Sequence, residues 1–267
     1  MLLSADLVVA LSSIAAISLG LFFVGLNAKG SWSNILLGVA VLVLAAYALW
    51  LGNNIELARL LSVADVIAWG DLQLPATALL AGIAWQRLPG PLWQKYLLVG
   101  ALALIGAWRF VEPYVGSPPP IGPERWNHAI CMQTTKSTCS AAAAATLLAR
   151  VGIKTSEAEM AKLCLTREDG TSLLGLYRGL KIKTTGTNWR VVLLQGSALD
   201  LKHQPLPAIV TINDPNIPDA LHSVVVFGFE DETHLSVGDP FTGGLQRWNL
   251  AALERADVGA GIALIKN

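Results

Sequence analysis

Residues 131–148 read CMQTTKSTCSAAAAATLL, in which a polar stretch runs into Cys139 and then into an alanine-rich segment. From Ser137 to Val151 no proline or glycine interrupts the run, so a helix buried along most of its length is expected there. Cys139 then lies close to the start of that helix, where unpaired backbone N–H groups and the positive end of the dipole favour a thiolate. Further on, Ser156 opens a second helix, with Glu159 at the capping-box spacing ahead of Met160, Leu163 and Cys164. Gly170, Thr171 and Ser172 precede a third short helix through Leu180. After that the pattern changes. Val191 to Leu194, Ala208 to Ile212, Val224 to Phe229, His234 to Val237 and Ile262 to Ile265 are short β-branched runs bounded by Pro, Gly, Asn and Asp, as strands are. Helices first and strands later predict an α+β domain over residues 124–267.

Upstream of this domain the expected solvent is lipid. Residues 1–112 carry 10 of the 38 charged side chains, and the chain as a whole is 53% hydrophobic with a mean hydropathy of +0.51. A spanning helix needs about 20 mostly apolar residues. Leu7 to Ala28 supplies 22 without a charge, and Gly30 to Ile55 supplies 26 more. The third candidate, Leu72 to Gln86, is poorer, because Asp65 and Asp71 interrupt its approach and Pro75 lies near its start. Leu60 to Gly70 reads as an interfacial or kinked lead into it. The fourth, Tyr96 to Trp108, is flanked by Lys95 and Arg109, placed to snorkel toward head groups. The expectation is an all-α transmembrane region of about four helices over residues 1–112, retained as an anchor because the first run lacks a basic n-region. Trp32, Trp50, Trp85, Trp93 and Trp108 fall near span ends, as an aromatic belt requires. Lys29 lies in the first loop and Arg87 and Lys95 in the third, against only Arg59 in the second. Basic loops stay cytoplasmic, which puts both termini and the second half outside; if the third segment does not cross, the orientation inverts. Residues 113–123 include GSPPPIGP, four prolines in eight residues, and read as a stiff linker.

A cysteine nucleophile also needs a base and a group to orient that base. His222 opens the apolar run HSVVVFGF, and Asp239 in GDP follows a second strand 17 residues later. On adjacent antiparallel strands Asp239 can hold one ring nitrogen while the other faces the sulfur. Gln133 precedes Cys139 by six residues and is near enough to offer its side-chain amide to a developing oxyanion beside the Cys139 N–H. Taken singly, each residue has a bland role: a small buried hydrophobe, a strand-edge histidine, a turn former, a solvated amide.

Together these residues resemble the papain-like cysteine peptidases that cut double-glycine leaders and are usually fused to bacteriocin-exporting ABC transporters. In that family a Gln stands six residues before the catalytic Cys, which is followed by Gly-x-Ala at a helix start; Gln133, Cys139 and Ala142 match. A His opening an apolar strand and an Asp in an Asn-Asp-Pro-like turn look like His222 and Asp239 here. The resemblance implies a papain-like fold over roughly residues 127–245, with Cys139 as nucleophile, His222 as general base and acid, Asp239 as orienter and Gln133 as oxyanion donor. With the apolar spans upstream, the expectation is a membrane-anchored peptidase of the bacterial inner membrane acting on a peptide or protein substrate. Thr138 stands where the family usually has Asp and Ser140 where it has Gly, which narrows the approach to the sulfur. No GxxxxGK[ST] sequence occurs, so no ATP is expected as a partner.

A net charge of zero, 19 basic against 19 acidic residues, offers no field to hold nucleic acid. No cofactor is suggested. A zinc site from His128, Cys131, Cys139 and Cys164 fits no tight ligand spacing. Cys131 and Cys164, 33 residues apart, are either a disulfide, worth roughly 3 kcal/mol in the chain-entropy model, or a pair of buried thiols. His203 and His234 are expected at the surface. Two other functions remain open beside peptidase: a peptide-binding module that keeps the cleft without turnover, and acyl or peptidyl transfer through the same thioester.

Overall fold

The computed structural model describes residues 5–51, 55–115, 118–194, 198–213 and 221–267. Gly116 and Ser117 of the proline-rich segment, and the side chains of Trp50 and Arg109, lie outside the described residues. The chain forms two compact units, Met1–Gly116 and Ser117–Asn267.

In the first unit, α1 (Ala5–Asn27) turns into α2 (Gly30–Ala46), which passes into a π-helical turn, Tyr47–Leu51. Two short helices follow, α3 (Ile55–Leu61) and α4 (Val66–Trp69), then α5 (Gln73–Arg87) and α6 (Leu92–Val111). Among the described residues, three stretches are long and apolar enough to cross a membrane: Asp6–Asn27, Gly30–Leu49 and Val66–Arg87; Leu92–Trp108 is a shorter apolar helix. The kinked approach expected at Leu60 to Gly70 is the pair α3 and α4, broken at Ser62, whose φ is +49°. Carboxylates have structural work there. Asp71 Oδ1 accepts from the Gln73 N–H at 2.7 Å and caps α5, and the Asp6 carboxylate accepts from the Asp65 N–H at 3.1 Å and the Trp69 indole at 3.2 Å. These bonds supply the acceptors that helix-end N–H groups lack in an apolar setting.

Helices α1 and α5 meet backbone to backbone. A Cβ on Gly82 would lie 2.1 Å from the Phe22 carbonyl oxygen, and one on Gly25 would lie 2.5 Å from that of Leu79. Without a hydrophobic drive between helices in lipid, this close van der Waals approach at small residues is what associates them.

The second unit begins with a hairpin, β1 (Trp126–Asn127) and β2 (Ile130–Cys131), followed by helices α7 (Cys139–Arg150), α8 (Glu157–Leu163) and α9 (Leu173–Thr184). The strands come after: β3 (Trp189–Leu193), β4 (Ala208–Asn213), β5 (Leu221–Phe229), β6 (His234–Asp239) and β7 (Gly244–Asn249), then α10 (Leu250–Ala256) and β8 (Asp257–Lys266). They form one antiparallel sheet in the order β3-β8-β4-β5-β6-β7. The α+β class expected from the sequence is therefore the class observed. One sheet face carries Val210, Ile212, Val224, Val226, Leu235 and Val237 into a core closed by α10. Against β4 and β5 on the sheet lies α7, whose residues 141–145 are fully buried alanines. Their small side chains let the helix axis come close, and that brings the helix start to the end of β5.

Two elements differ from expectation. β7, GLQRWN, has no β-branched residue; it is an edge strand held by its register with β6, from Asp239↔Gly244 to His234↔Asn249, across a turn that Gly243 closes at φ +68°. α10 follows it directly. Ser156 caps α8 by accepting from the Glu159 N–H at 3.1 Å, but the Glu159 carboxylate goes to Thr155 and Lys183 instead of completing a capping box.

Replacing Gly82 with valine is expected to force α1 from α5 at a cost of about 1–3 kcal/mol, lowering the thermal midpoint of the chain in detergent. Gly38→Ala, where a Cβ meets nothing within 4 Å, should leave that midpoint unchanged. Equal midpoints for both variants would contradict the packing described.

Candidate active site

Cys139 occupies the first position of α7 and is 7% exposed. Its predecessor Thr138 makes no side-chain cap to the helix; the Thr138 hydroxyl turns back, donating to the Thr135 carbonyl at 3.1 Å and accepting from the Thr135 N–H at 3.2 Å. The first-turn N–H groups of α7 are thus left uncapped by it, beside the sulfur.

The imidazole comes from the sheet. β5 and β6 pair antiparallel with Val225 opposite Gly238; continuing that register puts Asp239 opposite Val224, so His222, two residues along, shares its face. His222 Nε2 and Asp239 Oδ1 are 2.7 Å apart, with side chains 12% and 9% exposed. The same Oδ1 accepts from the Phe241 N–H at 2.8 Å, and the Asp239 carbonyl accepts from the Gly243 N–H at 2.8 Å. The carboxylate is therefore pinned by the turn that ends β6. With Nε2 committed to Asp239, Nδ1 is the nitrogen left for the Cys139 sulfur, and ring and sulfur are electrostatically coupled.

Three charges are coupled here. Burial alone would raise the Cys139 thiol; hydrogen bonding from His222, its positive charge, the Ser223 N–H and the Ser140 hydroxyl outweigh burial, and the pKa is lowered. Burial alone would lower His222, but its hydrogen bonds to Asp239 and Cys139 and their negative charges raise it to about 9. Asp239, which burial would raise, is held low by the His222 and Phe241 hydrogen bonds. The arrangement favours a thiolate–imidazolium pair with a carboxylate behind it.

Of the four residues singled out in the sequence, the fold brings Cys139, His222 and Asp239 together. Gln133 stands one step away. Its N–H donates to the Pro240 carbonyl at 2.9 Å, stitching its loop to the Asp239 turn, while its side-chain amide nitrogen donates to the Thr135 carbonyl at 2.9 Å. Its Oε1 is buried with no hydrogen-bond partner among the described residues.

Three polar residues to which the sequence assigned no positioning role hold this geometry. Ser140 and Ser223, each one position after a residue it did pick, meet Oγ to Oγ at 2.8 Å, both buried. Consecutive residues of α7 thus meet consecutive residues of β5, Cys139 with His222 and Ser140 with Ser223. Glu157, 1% exposed, accepts from the Thr134 N–H at 2.8 Å and from its hydroxyl, fixing the loop that carries Gln133. The only sequence signal for it was an acid just after the Ser156 cap.

The disulfide weighed for Cys131 and Cys164 is not formed: both are free and fully buried, as separate thiols that burial pushes up to about 12. Cys131 lies by Glu157, and Cys164 packs on Gly179, where a Cβ would stand 2.3 Å from its sulfur. His128 lies in the β1–β2 turn bonded to Asn127 at 2.8 Å, His203 is exposed, and His234 pairs with Asp231 at 3.0 Å.

A match to the peptidase C39 family spans residues 127–256 and so takes in all four of the residues picked from sequence. An uncharacterized protein of Methanothermobacter marburgensis is 32% identical over 117 residues, 44% of this chain and 75% of that protein. The chain belongs to the peptidase C39 family. A second uncharacterized relative, from Methanothermobacter thermautotrophicus, is 32% identical over 114 residues, 43% of this chain and 72% of that protein. Among solved structures, the peptidase domain of Streptococcus ComA, a bifunctional ABC transporter, is 22% identical with a TM-score of 0.45, over 51% of this chain and 96% of its own. A double-glycine motif protease from an AMS/PCAT transporter, in complex with its leader peptide, is 18% identical with a TM-score of 0.44, over 57% and 97%. The second unit of this C39 protein is thus a papain-like cysteine peptidase domain by family, behind a helical region with membrane-spanning character.

Ser140→Ala or Ser223→Ala leaves a buried hydroxyl unpaired and is expected to cost about 1–3 kcal/mol, with the double variant losing less than the sum; urea-dependent pulse proteolysis of the second unit measures this, and strict additivity would contradict it. Cys139 is also expected to reach half its maximal iodoacetamide reactivity below the ordinary thiol value of about 8.5, while Cys131 and Cys164 stay protonated to about 12. His222→Ala should move the Cys139 midpoint upward; an unmoved midpoint would remove the imidazole as the cause.

Proposed function

We propose that this C39 protein is a membrane-anchored cysteine peptidase that hydrolyses a peptide bond in a peptide or protein substrate near the membrane. The observation that carries this is the convergence of Cys139, His222 and Asp239, with the 2.7 Å bond between the last two and the coupling of ring to sulfur that lowers the Cys139 pKa. A lone buried cysteine has no use for a protonated imidazole; a nucleophile does.

The Cys139 thiolate adds to the scissile carbonyl carbon, and the carbonyl oxygen takes the negative charge. The uncapped N–H at the start of α7 receives that oxyanion, and Gln133 supplies a second donor once its amide swings from the Thr135 carbonyl. His222 gives its Nδ1 proton to the leaving amine as the C–N bond breaks, leaving a thioester on Cys139. Neutral His222 then takes a proton from water, whose hydroxide attacks the thioester carbon; the acid leaves, and sulfur and imidazolium return to their starting charges. Asp239 keeps Nε2–H engaged throughout, so the ring neither flips nor changes tautomer. Within the helical region the basic first and third loops support a cytoplasmic position for that end and an outside position for the peptidase domain.

The pH dependence follows from the two shifts. Activity should rise as pH passes the lowered Cys139 pKa and fall as His222 loses its proton near pH 9, because the leaving amine then has no acid. Cys139→Ala is expected to abolish labelling by an electrophilic peptide probe and to remove at least one N-terminus from the proteome of cells carrying the wild type. Unchanged labelling would eliminate Cys139 as nucleophile. Mass spectrometry of products separates hydrolysis, which adds one water, from transfer to an amine.

A further inference from the structure

The acids of the helical unit are sorted to one end, and three of its five cations lie at the other. α1 and α5 run parallel, since Asp6 meets Trp69 near one end and Gly25 meets Gly82 toward the other; α6 runs back, with Lys95 on Trp85 and Gly106 on Thr77. Lys29 between α1 and α2, Arg87 closing α5 and Lys95 in the first turn of α6 therefore lie at one end, with no acid between residues 27 and 34 or 85 and 95. Asp6, Glu56, Asp65, Asp71 and Glu112, all the acids of residues 1–112, fall at the opposite end.

None of the three cations forms an ion pair among the described residues. Their partners are neutral. Arg87 donates through Nε and Nη2 to the Ser33 hydroxyl at 3.0 and 2.6 Å, and through Nη2 to Asn34 Oδ1 at 2.6 Å; Lys95 Nζ donates to the Trp85 carbonyl at 3.0 Å. Between Lys29 and Arg87 lies an open surface depression of about 390 Å³, lined also by Ala28, Gly30, Ser33 and Gln86. Ser33 is buried and holds the guanidinium in place, so Arg87 is a fixed fork; Lys29 is an exposed, flexible arm on the other wall. Exposed aromatic residues flank this end, Trp32 at 57%, Trp93 at 60% and Tyr96 at 65%.

We infer that this depression binds the phosphate of an anionic phospholipid head group. Two cations with no counter-charge select an anion. Exposed Trp32, Trp93 and Tyr96 on these apolar helices put the opening at the head-group level, where lipid phosphate is the abundant anion. A zwitterionic head group brings its own cation into the same cluster and is disfavoured. Lys29 and Arg87 thereby take up charge that would otherwise repel across the loop pair, and the lipid becomes part of what holds α2 against α5.

The test uses the full chain, delipidated in an uncharged detergent and incubated with equal phosphatidylglycerol and phosphatidylcholine, with bound lipid counted by native mass spectrometry. Phosphatidylglycerol is expected to be retained in preference, about fivefold less well by Lys29→Ala, since one cation near a membrane surface is worth about that factor, and normally by Lys29→Arg. Arg59→Gln, at the acidic end, should leave retention unchanged. Equal retention of the two lipids, or equal losses in Lys29→Ala and Arg59→Gln, overturns the site. Glycerol 3-phosphate competing as well as phosphatidylglycerol at equal concentration assigns the depression to a soluble phosphate and overturns the lipid. Lys29 is chosen because Arg87 also ties α2 to α5, and its loss would confuse binding with folding.

Discussion

A carboxylate buried at the end of a strand must find enough hydrogen-bond donors to stay charged, and Asp239 finds them in the Phe241 N–H and the His222 ring. That single requirement organises the second unit. Because Asp239 is charged, the imidazole beside it is more easily protonated than a histidine at that depth would otherwise be, despite its burial. Because the imidazole is protonated, the sulfur at the start of α7 is stabilised as a thiolate, although burial acts against it. Each charge depends on the next, and none would be stable at its depth alone.

The coupling demands that a helix start and a strand end be held to within a fraction of an ångström. Packing supplies the coarse placement: five fully buried alanines allow α7 to lie close on β4 and β5. Polar contacts supply the fine placement. The Ser140–Ser223 bond joins the two elements one residue beyond the sulfur and the ring, and the buried Glu157 carboxylate pins the loop leading into α7. Ser140 stands where the family resemblance leads one to expect glycine, and here it makes that joint. Thr138, standing where an aspartate is usual, spends its hydroxyl on its own loop and adds no second negative charge beside the thiolate.

Much of this was legible in the sequence because it rests on strong local signals. Uncharged runs of spanning length marked α1 and α2, the alanine-rich segment marked α7, and β-branched runs marked β4, β5 and β8. His222 and Asp239 could be paired in advance because a strand period of two and an antiparallel connection leave few other registers. What escaped depends on distant partners. β7 has a weak strand sequence and exists because β6 offers it an edge; the fate of Cys131 and Cys164 was set by helices that bury them in separate neighbourhoods. Asp71 looked like an interruption of a span, and its carboxylate is the acceptor that lets α5 begin.

The most direct measurement is a nitrogen-15 NMR titration of His222 in the full chain labelled at histidine, with Cys139→Ala and Asp239→Asn beside it. The account predicts that both ring nitrogens stay protonated until about pH 9 in the wild type and that either substitution lowers the midpoint. A wild-type midpoint near the ordinary histidine value of about 6.5, unmoved by loss of the sulfur, would contradict it.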